Sequence, residues 1–243
     1  MGKAKEIQVK VLPKNIADKF VKENHYSHKV ASTGLVNFGA FLDGKLIGVA
    51  QWGRPINKYL HLGIVEGTGW NDFLELNRLV CIDDTPPNTE SRFISICLKL
   101  IKKQAPQIKW VISYADATQC GDGTIYRASG FYLLSINNSE QLYILPSGEK
   151  VHLMALQGGH YSSKRKEMLA KGYTNPKQYI VEQLKGEKLV GKQLKYIYFI
   201  DKSCKDRLTV PIVPFTEIDK QGAGMYKGEK ITQKERHNKK QPE

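Results

Sequence analysis

The chain has 243 residues, 41% of them hydrophobic, and a formal net charge of +13. That length suits one large domain, or a domain with an appendage, around a real core. Its longest apolar runs, 79–82 and 94–98, are far below a membrane span, and residues 1–10 hold neither an apolar signal core nor a myristoylation pattern, so a soluble protein is expected.

In chain order, residues 5–12 alternate apolar and polar side chains and predict a first strand. Residues 15–24 have helical spacing through Ile16, Phe20 and Val21, and His25-Tyr26-Ser27 closes them. Two strands follow, 36–42 and 45–52, joined by Asp43-Gly44, a strong hairpin signal. Residues 53–70 are irregular. A strand over 73–82, a proline-containing loop, a helix over about 92–104 with Thr89 and Ser91 as candidate caps, and a strand over 109–114 make a parallel strand–helix–strand unit. Residues 131–136 and 141–145 predict an antiparallel pair, which 151–156 extends. Beyond 157 come two helical stretches (162–172 and 179–184), a strand over 194–200 and an extended run over 208–214. Residues 220–243 lack apolar periodicity and predict a flexible basic tail.

The charge is uneven. Residues 1–149 hold 17 Lys/Arg against 14 Asp/Glu, whereas residues 150–243 hold 20 against 10. A basic half points to a polyanionic partner, nucleic acid above all; a merely solubilising surface is the alternative. Cys81, Cys97, Cys120 and Cys204 form no CxxC pair, which argues against a zinc site and suits a reducing compartment such as the cytoplasm. Residues 110–131, WVISYADATQCGDGTIYRASGF, carry the densest chemistry, with a carboxylate, phenols and a guanidinium beside one strand end.

The order of elements resembles the GNAT N-acetyltransferase plan, and YRASGF (126–131) resembles that fold's Tyr-x-x-x-Gly-Phe motif. HYS (25–27), FGAFLDGKLIGVAQWGRP (38–55), LNRLV (76–80), SYAD (113–116), KYIYFID (195–201) and VPIVPF (210–215) extend the match. Together they resemble the phage Mom DNA-modification family over roughly residues 10–215. The resemblance implies an α/β (α+β) GNAT-like fold: a mixed, mostly antiparallel sheet with a central parallel unit. The expected domains are a catalytic core (1–157), a basic extension contacting DNA (158–219) and a tail (220–243). The implied activity is transfer of a methylcarbamoyl (acetamido-type) group to adenine in double-stranded DNA, shielding phage DNA from restriction in the host cytoplasm. The implied helpers are acetyl-CoA or another acyl or aminoacyl donor, and iron. The matched positions are Tyr26, Arg78, Ser91, Asp116 and Tyr126.

The family resemblance also frames the side-chain chemistry. The adenine amine is a poor nucleophile and needs a group to take its proton. Asp116 is the candidate base or orienter, with a loop cap as its bland alternative; Tyr126 is the candidate acid, or else a core tyrosine. Arg78 lies in an apolar strand, where it either holds an anion or pairs with Asp116 or Glu75. His25, with His28, Asp116 and Tyr126, is the candidate iron ligand set. Ser91 and Arg92 stand where a pyrophosphate would meet the helix start. That loop has no glycine and carries Asp83, Asp84 and Glu90, so it makes a poor cradle. Trp52, Tyr59 and Trp70 are candidates to stack on a flipped base, and Lys164, Arg165, Lys166 and Lys171 to contact phosphates. An ordinary GNAT acyltransferase and a non-catalytic nucleic-acid-binding module remain the competing readings.

Overall fold

The computed structural model describes residues 2–157 and 163–238. A seven-stranded sheet runs in the order β1-β2-β3-β4-β5-β10-β6. These strands are β1 (Gln8–Val11), β2 (Gly34–Leu42), β3 (Lys45–Gly53), β4 (Phe73–Cys81), β5 (Trp110–Asp116), β6 (Tyr132–Ser139) and β10 (Gly191–Phe199). Only β4 and β5 pair in parallel; every other pairing is antiparallel. This is the mixed sheet that the sequence predicts. The Asp43-Gly44 turn joins β2 to β3 with positive φ at both residues (49° and 76°), the backbone a two-residue hairpin of matching twist demands.

Alternation along the strands makes two apolar faces. Leu74 and Leu76 of β4, Val111 and Ala115 of β5 and Leu194 and Tyr196 of β10 pack with Phe93, Ile94, Cys97 and Ile101 of α2 (Thr89–Gln104). Phe73, Trp110, Ile112, Ile197 and Phe199 point the other way, under Ile64, Val65 and Cys204. Toward the β1 side, α1 (Lys14–Asn24) covers Val49 and Val80 through Ala17 and Val21. Phe73 and Trp110 stack with ring centroids 4.1 Å apart where the two parallel strands begin.

Three sequence expectations need correction. First, β6 does not pair with the strand that follows it. β7 (Leu142–Ile144) instead forms a separate three-stranded sheet with β8 (Lys150–His152) and β9 (Glu187–Lys188). Together with α4 (Met154–Gln157), α5 (Ser163–Ala170) and α6 (Pro176–Gln178), this unit encloses its own core of Tyr143, Val151, Leu156, Met168, Tyr179 and Ile180.

Second, the chain then returns, and β10 inserts between β5 and β6. The boundary expected at 157/158 therefore does not divide core from extension. Residues 140–190 are an insertion, and the residues after it complete the central sheet. The physical reason is register: β10 is hydrogen-bonded on both sides, from Phe199–Trp110 to Gln193–Asp116 and from Ile197–Tyr132 to Gly191–Ser139.

Third, the segment expected as a flexible tail is packed as far as α8 (Gln233–Asn238), after α7 (Glu217–Lys220); residues 239–243 lie outside the described residues. Ile218, Ala223 and Met225 are buried in the main core. Arg236 reaches Asp122, whose carboxylate is wholly buried and also paired with Arg127 at 3.1 Å. Among the described residues, no helix is long and apolar enough to cross a membrane.

Candidate functional site

β4 and β5 are hydrogen-bonded only from Phe73–Trp110 to Leu76–Ser113. Beyond that rung they part, β4 staying with β3 to Cys81 and β5 with β10 to Asp116. Where the strands diverge, the β4 ladder also shifts register, Gln51 facing Arg78 and Trp52 facing Leu76. Asn77 is thus the extra residue of a bulge, which turns Arg78 onto the α1 face beside Gln51, itself bonded to Asp18 of α1. The result is a wedge-shaped opening at the carboxyl ends of two parallel strands, the usual place for a ligand in sheets of this kind.

Four of the expected site residues meet at this opening. Arg78 is held as a fork. Its Nε donates to the Lys29 carbonyl at 2.8 Å and its Nη1 to the Asn77 carbonyl at 2.6 Å. No carboxylate lies within 4.0 Å of it among the described residues, so pairing with Asp116 or Glu75 is not its role. Tyr26 stands at the mouth, 46% exposed, its ring 4.4 Å from that of His25. Burial of its inner side, followed by the negative charge of Asp116, raises its phenol above the ordinary range. Tyr126, on α3 (Thr124–Ala128), is buried beneath the opening, with its hydroxyl 3.4 Å from the Tyr114 carbonyl and bonded to Ser113. Burial pushes that phenol up to about 12, so it stays protonated.

Asp116 organises the loop. One carboxylate oxygen accepts from the Thr118 N–H and the other from Gln119 Nε2, both at 2.9 Å, while its carbonyl receives the Cys120 and Gly121 N–H groups. Both oxygens are thus already engaged in holding the turn. At the far end of the same loop, Asp122 is clamped by Arg127 and Arg236. Gly123 follows at φ 82°, pressed against the Tyr196 ring where a Cβ has no room. Cys120 has its thiol raised by crowding in the loop and by the charges of Asp116 and Glu90, so it rests as the thiol.

A carboxylate less prominent in the sequence is better placed for proton transfer. Glu75, half-buried one residue before the strands separate, alternates with Leu74 and Leu76 and so faces the α1 side. Burial raises its pKa, against opposing pulls from Asn77, Arg78 and Lys195. Lys195 lies opposite Tyr114 in the sheet, and burial brings its ammonium down to about 8. The Tyr114 hydroxyl meets His61 Nε2 at 2.7 Å, while His61 Nδ1 meets the Asn57 carbonyl at 2.7 Å. With the carbonyl fixing the proton on Nδ1, Tyr114 donates to Nε2. The sequence offers a hint of Glu75, an acid inside the apolar strand FLELNRLVC, but no sign of His61, 53 residues from its partner.

The remaining expected residues lie apart from this opening or are otherwise engaged. At the start of α2 the cap is Asn88, in left-handed conformation, and not Thr89 or Ser91. Thr89 Oγ1 instead donates to the Pro86 carbonyl and Ser91 Oγ to that of Asn88. Arg92 turns away to the Lys5 carbonyl at 3.0 Å. With the Glu90 carboxylate in the first turn, no glycine in the loop and the Ser91 hydroxyl turned to Asn88, these residues do not fit a pyrophosphate. Iron fares no better: among the described residues, no three His, Cys, Asp or Glu side chains are grouped to hold a metal. His25 Nδ1 is occupied by the Ser27 N–H and hydroxyl, at 3.1 and 2.8 Å.

On α5 and just after it, Lys164 is paired with Glu149 and Lys171 with Glu167; Arg165 bonds the Leu156 carbonyl, and Lys166 is exposed. The insertion also brings His152 within electrostatic reach of Asp116 and Lys29. Of the candidate stacking rings, Trp52 is wholly buried and Trp70 packs edge-on against Phe73, leaving Tyr59 exposed.

His25 and His61 are both buried, and desolvation lowers each to about 4. The unfolded chain binds protons at these residues from about pH 6.5 downward, whereas the native chain does not until about pH 4. Stability is therefore expected to fall as pH drops through that window. Urea unfolding at several pH values checks this, and His61→Gln should flatten part of the slope; an unchanged slope in that variant would contradict the assignment.

A family model described as the Mom protein family matches residues 6–217. The chain is 30% identical over 210 residues to the methylcarbamoylase Mom of Escherichia phage Mu, spanning 86% of this chain and 82% of that protein. Among solved structures it is similar to the ribosomal-protein-S18-alanine N-acetyltransferase of Escherichia coli, at 10% identity and a TM-score of 0.42 over 80% of this chain and 94% of that one. A probable acetyltransferase from Staphylococcus epidermidis gives 13% identity and a TM-score of 0.44 over 79% and 98%. The matched span contains the wedge, the loop anchored by Asp116 and the inserted sheet, and on that span the chain belongs to the Mom family.

Proposed function

We propose that this protein transfers a methylcarbamoyl group to the exocyclic amine of adenine in double-stranded DNA, acting in a host cytoplasm to shield phage DNA from restriction. Family membership supports the reaction class. The observation that carries the reading at this site is the opening between β4 and β5, which faces Glu75, Arg78 and Tyr26 from one side and Tyr126 from beneath. Glu75 accepts a proton from the adenine amine as the nitrogen bonds to the electrophilic carbon of the donor. Arg78, its fork fixed by two carbonyls, stabilises the negative charge that develops there. Tyr126 gives its proton to the departing group, and the bond to that group breaks. Tyr26 lines the mouth and orients the base. No step is assigned to CoA, whose pyrophosphate the start of α2 does not suit, nor to iron.

Reaching a paired adenine requires turning it out of the stack, and the exposed basic residues hold the phosphates without reading sequence. The test is to express the protein in bacteria, digest the genomic DNA to nucleosides and analyse them by mass spectrometry. A methylcarbamoyl-adenosine mass with the wild type, absent with Arg78→Ala, is the expected result. Unmodified adenosine from cells that accumulate folded wild-type protein would overturn the proposal.

A further inference from the structure

Residues 56–62, INKYLHL, form an apolar projection built to stay rigid. Ile56 is 72% exposed, Tyr59 78% and Leu60 65%. A free soluble chain seldom clusters such side chains on one turn without a partner. The turn is not loose. Asn57 Oδ1 accepts the Tyr59 N–H at 3.0 Å, and the N–H groups of His61 and Leu62 return to the Lys58 carbonyl at 3.0 and 2.9 Å. From beneath, His61 is buried and bonds both the Asn57 carbonyl and the Tyr114 hydroxyl, and Lys195 reaches the Leu60 carbonyl. The projection is therefore pinned to β5 two residues before Asp116, on the sheet face that carries Glu75 and Lys195.

Charge identifies the occupant. Between Asp43 and Glu66 the chain has no acidic residue; Lys58 lies on the turn and Lys195 beneath it, while Arg54 turns inward to the Trp70 and Phe73 carbonyls. The Lys58 ammonium lies 5.1 Å from the centre of the Tyr59 ring, so a cation accompanies the apolar tip. An apolar tip flanked by cations suits a base stack edged by phosphates better than an apolar protein surface.

We infer that this turn is a wedge that enters the DNA stack and fills the gap left when the target adenine swings into the opening between β4 and β5. The inference rests on the proposed reaction and adds the device that exposes its substrate. Extruding a base costs a few kcal/mol of stacking and pairing, and side chains such as Leu and Tyr offset that loss by taking the vacated space. Anchoring through His61 and Tyr114 ties the wedge to the strand that ends at the reacting site, so insertion and capture are geometrically linked.

The test uses the full chain and a duplex oligonucleotide with 2-aminopurine in place of one adenine. The wild type should raise 2-aminopurine fluorescence on binding. Tyr59→Ser/Leu60→Ser, which alters only exposed side chains, should bind the duplex within about threefold by anisotropy yet give less than about a fifth of the rise. In cells, the same variant should lose about tenfold or more of the genomic adenine adduct. An equal rise from the variant, no rise from the wild type, or a loss of duplex binding as large as the loss of signal would overturn the wedge. A wild-type adduct without a fluorescence rise would sink the wedge alone, whereas no wild-type adduct would sink the reaction on which it rests.

Discussion

Replacing Glu75 by Gln is expected to cut the yield of modified adenine by roughly 100- to 10,000-fold, the usual worth of a positioned general base, while leaving duplex affinity and the melting temperature close to wild type. Glu75 is the carboxylate that faces the opening with its pKa raised, and its charge is not consumed in a salt bridge among the described residues. Glutamine keeps the size and the contact with Asn77 but cannot accept the amine proton. Asp116→Asn is expected to act differently. Its carboxylate oxygens accept from Thr118 and Gln119, so the change should loosen the loop, lower the melting temperature and reduce activity less steeply. The two variants separate the roles when adduct yield, anisotropy and calorimetry are measured side by side. Full activity in Glu75→Gln with none in a well-folded Asp116→Asn would return the base to Asp116.

The second large effect concerns the C-terminal segment. Arg236→Ala is expected to destabilise the protein by about 2–3 kcal/mol, because removing one partner leaves a buried charge only partly compensated. Asp122 would retain Arg127 and the Met225 N–H, at 3.1 and 3.3 Å, which keeps the loss below that of a fully orphaned carboxylate. For a chain of this length such a change lowers the melting temperature by about 4–12 °C. Removing residues 222–243 should be at least as costly, since it also exposes the core around Ala223 and Met225. Pairing Arg236→Ala with Asp122→Asn, which deletes the charge, should cost less than the sum of the two changes. Calorimetry on the four proteins checks this, and an unaltered melting temperature in the truncated chain would restore the reading of a loose basic tail.

Much of the local structure is legible from neighbouring residues. Asp43-Gly44 between apolar runs specifies the β2–β3 hairpin, and the turn has the positive φ values that dipeptide favours. The apolar face of residues 93, 97 and 101 announces α2, and its flanking runs announce the parallel pair β4–β5. The site was legible in part. Tyr26, Arg78 and Tyr126 stand in motifs whose order in the chain matches the family, and all three border the opening. Ser91 is carried over from the same match, yet its hydroxyl donates to the Asn88 carbonyl.

Which strand lies beside β6, what balances Asp122 and which carboxylate is desolvated all depend on groups far apart in sequence. β10 reaches its place after an insertion with its own core, and periodicity names a strand without naming its neighbour. Arg236 lies 114 residues from the carboxylate it pairs with, inside a segment whose composition alone reads as solvated. Glu75 differs from a surface glutamate because packed segments half-bury it and bring Asn77, Arg78 and Lys195 beside it. The sequence by itself determined the family, most strands and helices of the central sheet and the basic charge of the chain, because short-range sterics, apolar periodicity and summed charge are local or additive. The tertiary structure alone decided which carboxylate is desolvated, what pairs with Asp122 and which apolar turn is held outward, because burial and electrostatic neighbours exist only once distant segments have packed.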